Sequence, residues 1–202
     1  MDKKKLIVGS LIALVVLAIA GAETFLPAYK FRGSVIDPPV PASDFSLKDQ
    51  NGQAFQLSDQ RGKIVLMFFG YTNCPDICPV TLAQFKQARA QLGHQADRVR
   101  FVFITVDPER DTAEKIKTYL GAIDPAIIGL GGSQAELEQV WRAFGVYRQK
   151  QPGQSQDDYA DLLEHSSRVY LVDTQGNLHV TYPFGLVPDD VVQDVQYLLR
   201  KG

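Results

Sequence analysis

Leu6–Ala22 is a run of 17 residues without a charge, preceded by the three lysines of Met1–Lys5 and closed by Glu23. Residues 23–43 carry Pro27, Pro38, Pro39 and Pro41, which predicts an extended tether over residues 23–41. Beyond it the apolar positions take on regular periods. Phe45–Leu47 and Ala54–Leu57 flank Asp49-Gln50-Asn51-Gly52, a hairpin signal because Asn-Gly suits a tight turn. Ile64–Tyr71 is almost continuously apolar, as a strand buried on both faces should be. Phe85, Ala88 and Leu92 then share one face of a helix. Val99–Val106 reads as a second buried strand and Ile127–Leu130 as a short third. Asp111-Thr112-Ala113-Glu114 predicts a capping box opening a helix to Leu120, and Ser133-Gln134-Ala135-Glu136 another, to about Phe144. Gln149–Ala160 is polar and reads as an exposed loop. Arg168–Val172 and Leu178–Tyr182 flank Asp173-Thr174-Gln175-Gly176-Asn177 as a hairpin, and Asp189 and Asp190 open a final helix, Val191–Arg200.

Strand, helix, strand, helix, strand pair and helix is the order of an α/β thioredoxin-like domain over residues 42–202. It predicts a central mixed sheet flanked by helices, with the two long buried strands parallel and the late hairpin antiparallel. The helix expected over 134–144 exceeds the minimal form of that fold.

Composition narrows the class. The chain has 202 residues, 45% of them apolar, enough for one domain with a substantial core. Residues 1–22 hold three lysines and one aspartate; without them 18 basic and 22 acidic side chains remain, a balance of −4. Nucleic-acid binding is not expected of such a domain, since phosphate affinity needs clustered Lys and Arg. The positive N-terminus and the apolar run after it predict an exported domain with the lysines left inside. Seventeen apolar residues is short of the roughly 20 a spanning helix needs. Ala20-Gly21-Ala22 also offers the small-residue pattern of a signal-peptide cleavage site. Residues 1–22 are therefore expected as a retained transmembrane anchor, with cleavage as the alternative.

The chain has two cysteines, Cys74 and Cys78, separated by three residues. An exported close pair can be a disulfide, a redox couple or a metal site. Cys74 falls just past the first buried strand, where sites form in open α/β sheets. Pro75 follows Cys74 and Pro79 follows Cys78. Since a residue before proline is biased away from the helical region, the helix is expected to start at Pro79 with Cys78 at its cap. Free N–H groups and the helix dipole there would favour a thiolate. Of the three histidines, His94 ends the first helix on the far side and His179 is expected to face solvent from a hairpin strand. His165 precedes the strand Arg168–Val172, which should run antiparallel beside Ile64–Tyr71 and so bring His165 toward the cysteines. Two soft thiolates and an imidazole suit Cu(I) at low coordination number. Zinc would take a fourth ligand, for which Asp76 is available but expected to face water.

The run Phe69-Gly70-Tyr71-Thr72-Asn73-Cys74-Pro75-Asp76-Ile77-Cys78-Pro79 resembles the Sco (SenC) family of copper proteins. So do Thr105-Val106-Asp107-Pro108-Glu109-Arg110-Asp111 and His165-Ser166-Ser167-Arg168-Val169-Tyr170-Leu171-Val172-Asp173. The resemblance covers most of the chain from about Pro41 and includes the N-terminal anchor. It implies a thioredoxin-like fold and copper, as Cu(I) or Cu(II), held by Cys74, Cys78 and His165. The implied function is a metallochaperone for the dinuclear copper centre of cytochrome c oxidase, with subunit II of the oxidase as partner. Other copper chaperones or thioredoxin-like reductants would join it. It also implies a single-pass bacterial inner-membrane protein with the domain in the periplasm, and a supporting role for Asp107. Read without the resemblance, Asp107-Pro108 starts a turn at a strand end.

Two other functions compete. A thiol–disulfide oxidoreductase would use Cys74 and Cys78 as a redox pair to keep the subunit II cysteines reduced; it needs no His165. A thiol peroxidase is suggested by Asp44-Phe45-Ser46-Leu47, but Met67 and Tyr71 stand where that pattern carries proline and threonine.

Overall fold

The computed structural model describes residues 29–150, 163–165 and 167–202, and the side chains of 148–150 and 163–165 lie outside the description. The anchor expected over 1–22 and most of the polar loop fall outside the described residues. No helix among the described residues is long and apolar enough to cross a membrane. The sheet and its helices belong to one unit, Phe31–Gly202.

Its strands are β1 (Ser34–Pro41), β2 (Ser46–Asp49), β3 (Ala54–Gln56), β4 (Ile64–Gly70), β5 (Val99–Thr105), β6 (Ile128–Gly131), β9 (Val169–Val172) and β10 (Asn177–Tyr182). Among the described residues they form one sheet in the order β1-β10-β9-β4-β5-β6-β2-β3. A separate hairpin pairs β7 (Arg148–Lys150) with β8 (Leu163–His165). The centre, β4, β5 and β6, is parallel, and β9 runs antiparallel on the other side of β4. The sheet is therefore mixed, as the element order predicts. All seven residues of β4 are buried. Full burial of each large apolar side chain stabilises by about 1.5–3 kcal/mol, which fixes this strand at the centre.

The alternation along β4 sorts the aromatic rings. Phe68 packs toward Phe103, which meets Tyr119 on α2 (Ala113–Ile123), and Phe85 of α1 (Ile77–Leu92) packs on Phe101. Phe69 points the other way, into a cluster with Tyr170 and Phe144, just past α3 (Gln134–Ala143). The closing helix, α4 (Pro188–Lys201), packs on α1. Gly70 shares the Phe68 face, the one that α1 covers.

Three expectations are corrected. The Pro-rich stretch is not tether throughout, because Ser34–Pro41 pairs antiparallel with β10 as an edge strand. Proline is tolerated there because one side of an edge strand needs no N–H donors. Asp111 does not cap α2: the N-cap is Thr112, whose hydroxyl accepts from the Lys115 amide. The expected loop loses Gln149 and Lys150 to β7. The capping box at Ser133 and Glu136 is present in full.

Candidate metal centre

The site begins where β4 ends. The Gly70 carbonyl accepts from Val106 N–H at 2.8 Å, tying the strand end to the segment after β5. The next turn is held by Asp111, whose carboxylate accepts from the Thr72 amide at 3.1 Å and the Thr72 hydroxyl at 2.5 Å. The Thr105 hydroxyl donates to the same carboxylate at 2.6 Å. Burial raises the Asp111 carboxyl above the usual range, with the hydrogen bonds from Thr105 and Thr72 opposing it. Asp111 thus clamps the approach to Cys74 onto the end of β5. In the sequence it reads as a helix cap, and no local signal distinguishes the two uses.

Cys74 N–H donates to the Tyr71 carbonyl at 3.2 Å, closing a turn that leaves Cys74 half-buried. The helix starts earlier than predicted. Asp76 is the N-cap, Ile77 the first residue, Cys78 the second and Pro79 the third. The bias against helix before proline loses here because Pro79 lies in the first turn, where a missing N–H breaks no helical bond. Cys78 therefore sits inside α1 rather than at its cap, and it is fully buried. Burial, with the neighbouring Cys74 sulfur, pushes the Cys78 thiol far above the usual thiol range.

The two sulfurs have unequal roles. Cys78 N–H donates to the Cys74 Sγ at 3.3 Å, so the Cys74 sulfur rests over the open end of the helix. An amide donor and the dipole there favour negative charge on Cys74, as the motif predicts. Cys78 Sγ lies beneath, against the sheet. No disulfide joins them.

β9 places its start, Val169, opposite Phe68 near the end of β4, as expected. His165 lies four residues earlier, paired with Arg148 in the β7–β8 hairpin. Four residues span at most about 14 Å, which keeps its backbone at this end of the sheet. Its side chain is outside the described residues, and among those no cluster of three or more metal-ligating side chains occurs. His94 is exposed beyond the far end of α1, as expected. His179 differs from expectation: its ring is half-buried, 5.0 Å from Phe31 and 3.1 Å from Asp173 Oδ2. Asp107 makes the predicted turn, its carbonyl accepting from Arg110 and Asp111 amides, and its carboxylate pairs with Arg110. Asp76, offered by the sequence as a fourth ligand, is exposed at the helix start.

The SCO1/SenC family model matches residues 36–200. The mitochondrial SCO2 homolog of Bos taurus is 38% identical over 173 residues, which are 81% of this chain and 64% of that protein. The chain therefore spans just under two thirds of that relative's length. The copper-bound structure of Bradyrhizobium japonicum ScoI is similar with a TM-score of 0.72 and 36% identity, over 79% of this chain and 99% of that one. The solution structure of apo Sco1 from Thermus thermophilus has a TM-score of 0.75 and 35% identity, over 86% and 100% of the two chains. With a family match running from the edge strand β1 to the closing helix and a cysteine pair seated at the start of α1, the chain belongs to the SCO1/SenC family.

Proposed function

We propose that this chain is a copper metallochaperone that holds one copper ion through Cys74, Cys78 and His165 and delivers it to the dinuclear centre on subunit II of cytochrome c oxidase. The observation that carries this reading is the sulfur pair itself, with Cys74 Sγ accepting the Cys78 amide over a helix start and Cys78 Sγ buried beside it. Two soft sulfurs at one end of a rigid sheet suit copper, and a third donor from His165 would complete a low-coordinate site. The ion, when bound, is the cargo; the chain supplies thiolates, a fixed sulfur for Cys78 and an amide that orients Cys74. The relative from Bradyrhizobium is described with copper bound. In this reading residues 1–22 anchor the domain in the bacterial inner membrane, facing the periplasm.

Metal analysis of the purified domain tests it. Cys74→Ser, Cys78→Ser and His165→Ala should each sharply reduce copper retention, while His94→Ala leaves it intact. Full Cu(I) and Cu(II) binding by His165→Ala would overturn the three-ligand assignment.

A second reading has its own support. A 25% identical Sco-family structure is described as showing a disulfide switch in an oxidase assembly protein. Cys74 and Cys78 are not joined by a disulfide here and lie close enough for the amide of one to reach the sulfur of the other. As an oxidoreductase the chain would pass electrons from these thiols to a subunit II disulfide, ending with its own pair oxidised. Reduced protein lacking His165 that still reduces such a disulfide, without carrying copper, would favour this role.

A further inference from the structure

Asp111 is 5% exposed, two residues before α2, and among the described residues no ion pair ends on it. A carboxylate taken out of water without a cation persists only where hydrogen bonds replace its hydration. Its partners are three donors from two threonines: the Thr72 amide, the Thr72 hydroxyl and the Thr105 hydroxyl. The Thr105 end is fixed. Its hydroxyl also accepts the Asp107 amide at 2.9 Å, and its carbonyl accepts Trp141 Nε1 at 3.2 Å. The Asp111 amide donates to the Asp107 carbonyl at 2.9 Å, so the carboxylate itself is anchored on the β5 side. Thr72 is the held end. It lies inside the turn that Cys74 N–H closes on the Tyr71 carbonyl, so whatever fixes Thr72 fixes where Cys74 stands. The contact made there has little slack: Cys74 Sγ accepts the Cys78 amide at 3.3 Å, and a shift of about 1 Å would take it out of hydrogen-bond range.

We propose that Asp111 is a positioning residue of the metal centre, acting through Thr72 to hold the Cys74 sulfur over the Cys78 amide before copper arrives. This rests on the proposed function, in which Cys74 is a copper ligand. A ligand already in its bound place loses less freedom when the metal binds. Outer partners of this kind orient a ligand and raise metal affinity. The position calls for a carboxylate rather than an amide, because every partner is a donor and an asparagine would turn an N–H₂ group on one of them.

Thr72→Val keeps the shape and the amide of Thr72 but removes its hydroxyl, whereas Thr72→Ser keeps the hydroxyl. Cu(I) affinity, measured by competition with a chromophoric chelator, should fall about tenfold in Thr72→Val and in Asp111→Asn and stay parental in Thr72→Ser. The sulfur-to-copper charge-transfer band of the Cu(II) form should shift in the first two alone. Thr72→Val combined with Asp111→Asn should bind no more weakly than Asp111→Asn, since both changes break one link. A folded Thr72→Val protein with parental affinity and an unshifted band overturns the proposal, even if it is less stable, and even if Asp111→Asn fails to fold. So does a Thr72→Ser protein as impaired as Thr72→Val. If the parent itself holds no copper, the proposed function falls and this inference with it; a copper-binding parent matched by Thr72→Val sinks this inference alone.

Discussion

Cys78 Sγ occupies the place where a side chain on Gly70 would begin, 2.8 Å from the position of a Cβ there. Phe68 Cε1 and Phe103 Cε2 crowd the same point at 2.9 Å and 3.0 Å. Strand β4 gives up a side chain at its last residue so that a sulfur from the first turn of α1 can rest on the sheet. Cys78 is thereby fixed in depth by the backbone of β4, while Cys74 rides on a turn above it.

Gly70→Ala should therefore act on the metal centre. A methyl group must push the sulfur or two core rings aside, and overpacking of this kind costs about 1–3 kcal/mol. Denaturant unfolding should show that loss, and copper stoichiometry should fall with it. A folded Gly70→Ala protein with unaltered copper binding would show that the depth of Cys78 is unimportant.

His179 separates stability from metal binding. Its ring touches Phe31 and Asp173, and Asp173 also accepts from Gln175 and Asn177 amides to shape the β9–β10 turn. His179→Ala should cost about 1 kcal/mol of folding stability through lost packing and a lost polar contact, with copper retention unchanged. Lost copper in a folded His179→Ala protein would place a ligand on β10.

Most of this sheet is legible from alternation alone. Ile64–Tyr71, Val99–Val106 and the late hairpin each read as strands because burial on one or both faces leaves a period in the residues. The pair Cys74 and Cys78 is legible because few roles put two thiols after a central strand. β1 is not, since its three prolines suit an edge strand and a tether equally well. The start of α1 is misplaced for a related reason, as Cys78-Pro79 tolerates a first helical turn. Asp111 and Gly70 stay invisible because each acts across the fold. Asp111 reaches a hydroxyl 39 residues away in sequence, and such a reach has no local signature.

Acid should expose the link between α1 and α2. Arg89 Nε and Nη2 donate to Asp124 at 2.7 Å and 3.1 Å. Burial raises the Asp124 carboxyl, but the Arg89 guanidinium and the Ala126 amide outweigh it and hold the group below its ordinary value of 3.8. A carboxylate depressed on folding adds stability above the unfolded-state value, and that stability is lost as pH falls through the folded value. Asp124→Asn should then be less stable than the parent at neutral pH, by about 1 kcal/mol given a partly exposed arginine. The gap should close below about pH 4. Equal sensitivity of both proteins to acid from pH 7 downward would show that the pair contributes nothing.

Retention of residues 1–22 is testable without reference to copper. If the apolar run is an anchor, the chain should fractionate with membranes, resist salt extraction and keep Lys3, Lys4 and Lys5 at its N-terminus. A soluble chain beginning at Glu23 would show cleavage and leave the metal centre untouched.

The N-terminal end of the domain is held by one carboxylate. Asp194, fully buried on α4, accepts the Arg32 amide at 3.0 Å, the Gly33 amide at 3.3 Å and the Tyr182 hydroxyl at 2.8 Å. Gly33 is needed for that approach, because a Cβ would lie 2.4 Å from Val180 and 2.8 Å from Tyr182. The clasp joins the start of the chain's domain to its last helix and to the edge pair of β1 and β10. Asp194→Ala should leave two partly buried amides and one buried hydroxyl without their acceptor, a fully buried group left unpaired costing about 1–3 kcal/mol. Some amides will recover water as the edge loosens, so the net loss should be nearer 3 kcal/mol than the full sum. The first structure to open should be β1, which has prolines and a register shift between Val35 and Val40. Hydrogen exchange should then show Val35 and Val180 amides losing protection in Asp194→Ala while those of β4 and β5 keep it. Uniform loss across the sheet would mean that the carboxylate supports the whole core rather than the edge.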